Sequence, residues 1–231
     1  MTLSTVSLRK ASLLALSAPL VFALAACGGS SDAGSEELPA GEPIAHIAPP
    51  EGQAWQDIAA ETPEGGFVIG NPDAPLKLVE YASHTCHVCA DFSQDGAEAM
   101  NGYVNSGVVS YELRNLIRDP VDLTIAMIIR CGDPALFHPL ADEAWANFDE
   151  LMQTVQANSA AISQAAAANP DRRFQAIAQS SGVLDFFNAR GVSSEQAMQC
   201  LADNARAEQL AERSDEQSEQ LNITGTPTFF L

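Results

Sequence analysis

Residues 76–92, LKLVEYASHTCHVCADF, decide how this chain folds. From Leu76 to Ser83 side chains alternate, with Leu76, Leu78 and Glu80 on one face and Val79 and Tyr81 on the other, the period of a strand. Cys86 and Cys89 follow, flanked by His84 and His87, and residues 88–105 have helical character. The cysteine pair therefore sits where a strand hands over to a helix. At a helix N-terminus the unpaired N–H groups and the helix dipole favour a thiolate, which lowers the pKa of the first cysteine. Cys86 is the expected exposed nucleophile. Cys89, one turn in, is the thiol that resolves a mixed disulfide.

Other readings use the same residues. His84, Cys86, His87 and Cys89 offer four metal donors, but within six residues they are too crowded to surround a tetrahedral zinc, and no second Cys-x-x-Cys completes a site. Soft thiolates keep a copper(I) site in play. A purely structural disulfide is disfavoured, because so short a loop removes little chain entropy.

Outward from the pair, residues 65–70 (GGFVIG) and 108–116 (VVSYELRNL) read as strands, and 71–75 (NPDAP) as a turn. Residues 121–130, 134–152, 154–168, 171–181, 193–201 and 203–221 are helix candidates. Ser193 with Gln196 forms a capping-box start, and Pro170 suits a first helical turn. The last stretch, NITGTPTFFL (222–231), returns to strand composition. Pro227 within it would cost a ladder hydrogen bond, which a cis Thr226-Pro227 bond in a loop would explain.

The N-terminus speaks of export. Arg9 and Lys10 precede an uncharged apolar run, residues 11–26, too short to span a bilayer comfortably, and Leu24-Ala25-Ala26-Cys27 matches a lipobox. Residues 1–26 are read as a signal peptide and Cys27 as the lipidated new N-terminus; an ordinary signal leaving Cys27 free is the alternative. Residues 28–45, rich in Gly, Ser, Pro and acid, read as a flexible tether of about 25 Å reach, so 27–60 is assigned to the lipidated cysteine and tether. With Cys27 lipidated, four of the five cysteines remain, an even number in a compartment that permits disulfides. Cys131 and Cys200, both on helix candidates, are expected to form a structural disulfide, with two buried free thiols as the alternative.

Composition sets outer limits. At 231 residues, 46% apolar and 18% charged, the chain can build a real core. Its net charge is −19, and −21 once Arg9 and Lys10 are removed with the signal, leaving 9 basic against 30 acidic side chains. Such a surface repels phosphate backbones, so no nucleic-acid partner is expected.

TPEGGFVIGNPDAPLKLVEYASHTCHVCADF together with GTPTFF resembles the DsbA-like branch of the thioredoxin superfamily, the extracytoplasmic thiol–disulfide oxidoreductases. The likeness covers roughly residues 60–118 and 222–231. Position 227 lies 138 residues after position 89, which leaves room for that family's inserted helical domain. The resemblance implies Cys86 as the attacking and Cys89 as the resolving cysteine. It makes Thr226 and Pro227 the cis-proline loop that meets substrate, and Glu80 a buried acid that moves protons at the inner cysteine. His87 is assigned an electrostatic role, although the dipeptide here is His-Val where the oxidant members usually carry Pro-His. The family's fold continues with a further strand and a closing helix, so the chain reads as a fragment or truncated frame ending at Leu231.

The expected fold is α/β: a thioredoxin domain in two parts (61–118 and 222–231) around a helical insertion (119–221). The expected function is a lipid-anchored oxidoreductase of the bacterial cell envelope, facing the periplasm. Its partners would be secreted or envelope proteins with thiols or disulfides, and a membrane redox partner, with no metal or organic cofactor. A copper-handling lipoprotein and an inactive thioredoxin-like binding module are the competing readings.

Overall fold

The computed structural model describes residues 44–168 and 170–231. The signal peptide, the lipidation of Cys27 and most of the tether therefore lie outside the described residues. Five strands form one sheet: β1 (Ala59–Glu61), β2 (Phe67–Gly70), β3 (Leu76–Ala82), β4 (Val109–Asn115) and β5 (Thr228–Phe230). Their order is β1-β2-β4-β3-β5. Only β3 and β4 run parallel; the other pairs are antiparallel. The crossover between the parallel strands is α1 (His87–Asn105), so the cysteine pair occupies the turn from β3 into that helix.

The rest is helical: α2 (Pro120–Ile129), α3 (Phe137–Ala146), α4 (Phe148–Ala157), α5 (Ser159–Ala166), α6 (Arg173–Ser181), α7 (Val183–Asn188), α8 (Ser194–Cys200) and α9 (Asn204–Leu221). Helix α2 is buried on every side from Val121 to Ile129, apolar apart from Asp122 and Thr124, whose polar atoms are hydrogen-bonded. It starts sharply because Asp119 accepts hydrogen bonds from the amides of Val121 and Asp122, with Pro120 in the first helical position. The helix expected over 134–152 is broken at Asn147, whose φ of −114° and ψ of 26° end α3 and begin α4. Helix α7 was not expected from the sequence; the left-handed Gly182 separates it from α6. Cys131 and Cys200 are joined in a disulfide that ties the end of α2 to the end of α8.

Part of the segment assigned to the tether is packed. The Ile47 amide donates to the Ser106 carbonyl, and the buried Trp55 donates through Nε1 to the Ile47 carbonyl at 2.7 Å. Gly107, at φ +73°, makes this docking possible, since a Cβ there would stand 2.5 Å from both the Ile47 carbonyl oxygen and Trp55 Nε1. The chain is thus ordered against the domain from Ile47, and β1 at residues 59–61 forms the sheet edge.

A buried cation joins helices to sheet. Arg130 donates to Asn115 Oδ1 at 3.0 Å, Glu61 Oε1 at 3.1 Å and the Gly65 carbonyl at 2.9 Å, and its guanidinium lies over the Phe67 ring. Such a group is tolerable inside because three of its five N–H donors find acceptors, one of them the Glu61 carboxylate.

Candidate active site

Cys86 caps the N-terminus of α1, and its thiol donates to the Thr226 carbonyl at 3.4 Å, so the loop before β5 touches the helix start. The Thr226-Pro227 peptide bond is cis. Around Cys86 opens a groove of about 450 Å³, lined by His87, Val88, Leu116, Arg118, Ile223 and Thr226 among others. Cys86, expected to be exposed, is itself buried at 5% exposure and meets solvent only through this groove; Val88 is exposed, whereas Cys89 is fully enclosed. Both sulfurs are free thiols.

The two thiols are pushed in opposite directions. Burial raises the Cys86 pKa. Hydrogen bonds from the Thr226 side chain, the Cys89 and Val88 amides and the Cys89 thiol outweigh it, and the net result lies below the ordinary thiol value. For Cys89 burial dominates and lifts the pKa to about 12, with the neighbouring Cys86 adding to the rise. One sulfur is thus disposed to ionise and the other to hold its proton.

The segment leading into the pair is bolted down. Asp122, wholly buried at the start of α2, accepts from Ser83 Oγ at 2.6 Å, the His84 amide at 2.8 Å and the Arg118 amide at 3.0 Å. Thr85 Oγ1 donates to Asp119 at 2.8 Å, and Trp145 Nε1 donates to the Ser83 carbonyl at 3.2 Å. Sequence reasoning missed Asp122 and Asp119 because their partners lie 34 to 39 residues away; the Asp-Pro-x-Asp start of a helix was the available signal. The Trp145 ring itself is buried.

Each expected site residue has a definite place. Glu80 is buried in β3; Tyr111 donates a very short hydrogen bond to its Oε2, and its Oε1 has no partner among the described residues. Burial lifts its pKa to about 7, against the lowering effect of the Tyr111 bond. His87 is exposed and lines the groove beside Cys86. His84 is not beside it as a donor: it is fully buried with its ring 5.0 Å from Trp145. Because Arg130 donates to Asn115 Oδ1, Asn115 Nδ2 must donate to His84 Nε2, leaving the proton of the neutral imidazole on Nδ1. Burial holds that histidine neutral, with a pKa near 3. Among the described residues no group of three or more His, Cys, Asp or Glu could hold a metal ion.

A sheet with a crossover helix that begins at Cys-x-x-Cys, faced by a cis-proline loop, defines a thioredoxin-fold protein. The chain belongs to the thioredoxin family, whose sequence model matches residues 62–231. Among solved structures it is similar to a protein-disulfide isomerase of Novosphingobium aromaticivorans, 33% identical with a TM-score of 0.65, over 71% of this chain and 84% of that one. Wolbachia pipientis alpha-DsbA1 shares the fold at 20% identity and a TM-score of 0.55, over 71% of this chain and 72% of that one. A candidate protein-disulfide oxidoreductase of Rickettsia bellii is 25% identical over 176 residues, which cover 73% of this chain and 57% of that protein. The chain thus spans little more than half the length of that curated relative.

Proposed function

We propose that this chain is a thiol–disulfide oxidoreductase acting on cysteines of other proteins, with Cys86 as nucleophile and Cys89 as resolving thiol. The observation that carries the reading is the opposed state of the two sulfurs: Cys86 opens onto a groove with its thiolate favoured, while Cys89 is enclosed with its proton held. In the reducing direction the Cys86 thiolate attacks a substrate disulfide, and Cys89, losing its proton, displaces the substrate and closes the Cys86–Cys89 disulfide. In the oxidising direction a substrate thiolate attacks Cys86 of that disulfide and Cys89 leaves. A second substrate thiol then expels the Cys86 thiolate, whose low basicity makes it a good leaving group. Thr226 and Pro227 form the wall against which a substrate backbone lies, and His87 at the groove rim bears on its charge.

The family likeness to disulfide isomerases and oxidoreductases supports this chemistry. The export signal and lipobox of residues 1–27 support a place in the bacterial envelope, anchored by lipid on Cys27 and facing the periplasm. Secreted or envelope proteins are then the substrates and a membrane redox partner resets the pair. No helix among the described residues is long and apolar enough to cross a membrane.

The test is exchange with glutathione followed by insulin reduction and refolding of a reduced disulfide protein. The purified chain should form the Cys86–Cys89 disulfide reversibly and turn over in at least one assay, and Cys86→Ser should abolish both. A wild-type pair that does not exchange with glutathione would sink the proposal in favour of an inert binding module.

A further inference from the structure

The groove beside Cys86 has apolar walls and one fixed charge. Val88, Leu116 and Ile223 supply the apolar surface. Among the described residues that line it, Arg118 is the only Arg, Lys, Asp or Glu, in a chain whose net charge is −19. Its place is set from two directions. The Arg118 amide donates to buried Asp122 at 3.0 Å, and Nη1 donates at 3.1 Å to the carbonyl of Thr85, the residue next to Cys86. The guanidinium is thus held against the backbone one residue from the reacting cysteine.

Only part of that guanidinium is committed. Its Nε and Nη2 have no protein acceptor, and no carboxylate pairs with it, among the described residues. Asp119, next in the chain, is engaged elsewhere: Oδ1 accepts from the Val121 and Asp122 amides and Oδ2 from Thr85 Oγ1. Arg118 is exposed, and it also borders a second hollow of about 260 Å³ with Pro120, Leu123 and Ala211, so it is open to the groove and to the surface beside it. The free Nε–Nη2 edge presents two parallel N–H bonds, the fork that matches the two oxygens of a carboxylate. Pinning the Thr85 carbonyl needs Nη1 alone. The acidic surface as a whole repels an anionic substrate at a distance, so an acidic site that reacts here gains its advantage from a local contact.

We propose that Arg118 is a specificity-determining residue, which binds the carboxylate of an Asp or Glu lying a residue or two from the reacting cysteine of a protein substrate. The inference rests on the redox reading of Cys86 and Cys89. Acidic cysteine sites are then the favoured substrates of the groove, with the carboxylate on the Nε–Nη2 edge and the cysteine at Cys86.

The test uses three disulfide-linked peptide dimers that differ in one side chain: those of N-acetyl-Cys-Asp-amide, N-acetyl-Cys-Asn-amide and N-acetyl-Cys-Lys-amide. Each is mixed in excess with reduced protein at pH 7. The Cys86 thiolate attacks one sulfur of the dimer, and the first peptide leaves as its thiolate. Cys89 then loses its proton, bonds to Cys86 and expels the second peptide, so the protein dithiol becomes a disulfide as the dimer becomes two peptide thiols. Loss of protein thiols gives a second-order rate for each peptide. Arg118→Gln should lower the Asp-to-Asn rate ratio about fivefold, which is about 1 kcal/mol at about 1.4 kcal/mol per factor of ten and the upper range for an exposed ion pair. The same variant should raise the Lys-to-Asn ratio. Arg118→Lys, which keeps the charge without the fork, should recover only part of the Asp preference. In 1 M salt the wild-type ratio should approach that of Arg118→Gln. Ratios cancel any change in Cys86 reactivity or in the shape of the helix start, so a merely structural role would alter all three rates in step. Rates altered in step, or an Asp-to-Asn ratio unmoved by Arg118→Gln, would overturn the proposal while leaving the redox reading intact. A wild type that forms no Cys86–Cys89 disulfide with any of the three would overturn both.

Discussion

Asp122 offers the sharpest test of what holds the active-site segment. Burial lifts its carboxyl from the ordinary 3.8 to about 7, although Ser83, the His84 amide and the Arg118 amide all donate to it. The sign follows from proton counting. Between those two values the folded protein holds a proton that the unfolded chain has released, so stability falls as pH rises from about 4 to about 7. The loss is complete above pH 7. From pH 5 to pH 8 this single group should remove roughly 2.5 kcal/mol, at about 1.4 kcal/mol per unit. Asp122→Asn keeps the shape but not the titration. Both carboxyl oxygens accept from backbone amides, so the new NH₂ must face an N–H and leave one buried donor unpaired, a cost of about 1–3 kcal/mol. The protonated acid avoids that cost, since its O–H can turn to Ser83 Oγ while the oxygen still accepts from Arg118. Urea unfolding at pH 5 should therefore show the variant less stable by about 1–3 kcal/mol, at unchanged m-value. At pH 8 that deficit should vanish or reverse. A gap that stays constant with pH, or widens, would refute the reasoning and show that the three donors, rather than burial, govern this carboxyl.

Other outcomes follow from the same contacts. Replacing Cys131 and Cys200 together with Ser reopens a loop whose ends are 69 residues apart, and should cost about 4 kcal/mol in urea unfolding; an unchanged midpoint would show that the cross-link leaves the unfolded chain unconstrained. Trp55→Ala removes a buried indole and its bond to Ile47, and should lower the thermal midpoint by roughly 10 °C while opening residues 44–58 to proteolysis. Thiolate absorbance near 240 nm should show Cys86 ionising below the ordinary thiol value of 9.0, with Cys89 still protonated at pH 10; a single titration of both thiols near 9.0 would contradict the opposed environments.

What could be read from the sequence, and what could not, divides by the distance along the chain between partners. The Cys86–Cys89 spacing, the strand before it and the helix after it are local, and local chemistry specified them. The cis Thr226-Pro227 bond was legible from a proline in strand-like sequence, but its place against Cys86 came only through the likeness, because nothing near Gly225 or Phe229 shows that the Thr226 carbonyl meets a thiol 140 residues earlier. Glu80 was marked as a buried acid only by the likeness, because its partner, Tyr111, lies 31 residues further on. His138 is a buried packing residue whose Nε2 proton is committed to the Phe67 carbonyl, a partner 71 residues earlier that no local signal marks. The break at Asn147 escaped notice because apolar residues continue in helical rhythm on both sides of it, and periodicity alone does not register a turned axis.

The opposed thiols also show why both ends of the chain's fold are needed for one site. The helix start alone would favour a thiolate at either sulfur exposed to it. What distinguishes them is their surroundings. Cys86 gains donors from Thr226 and from the first turn of α1, whereas Cys89 lies wholly within the hydrophobic core. The loop that brings Thr226 follows α9, after the whole helical insertion, so the packing of that insertion sets how closely the loop approaches the sulfur. The Ile117 amide donates to Ser214 Oγ on α9 at 2.8 Å, which fixes the insertion's last helix to the strand end that also carries Arg118. Ser214→Val should therefore loosen the Thr226 approach and raise both thiol pKa values, since Thr226 lowers each of them. A titration in which neither thiol moved would show that this α9 contact does not set how closely the loop approaches the sulfurs.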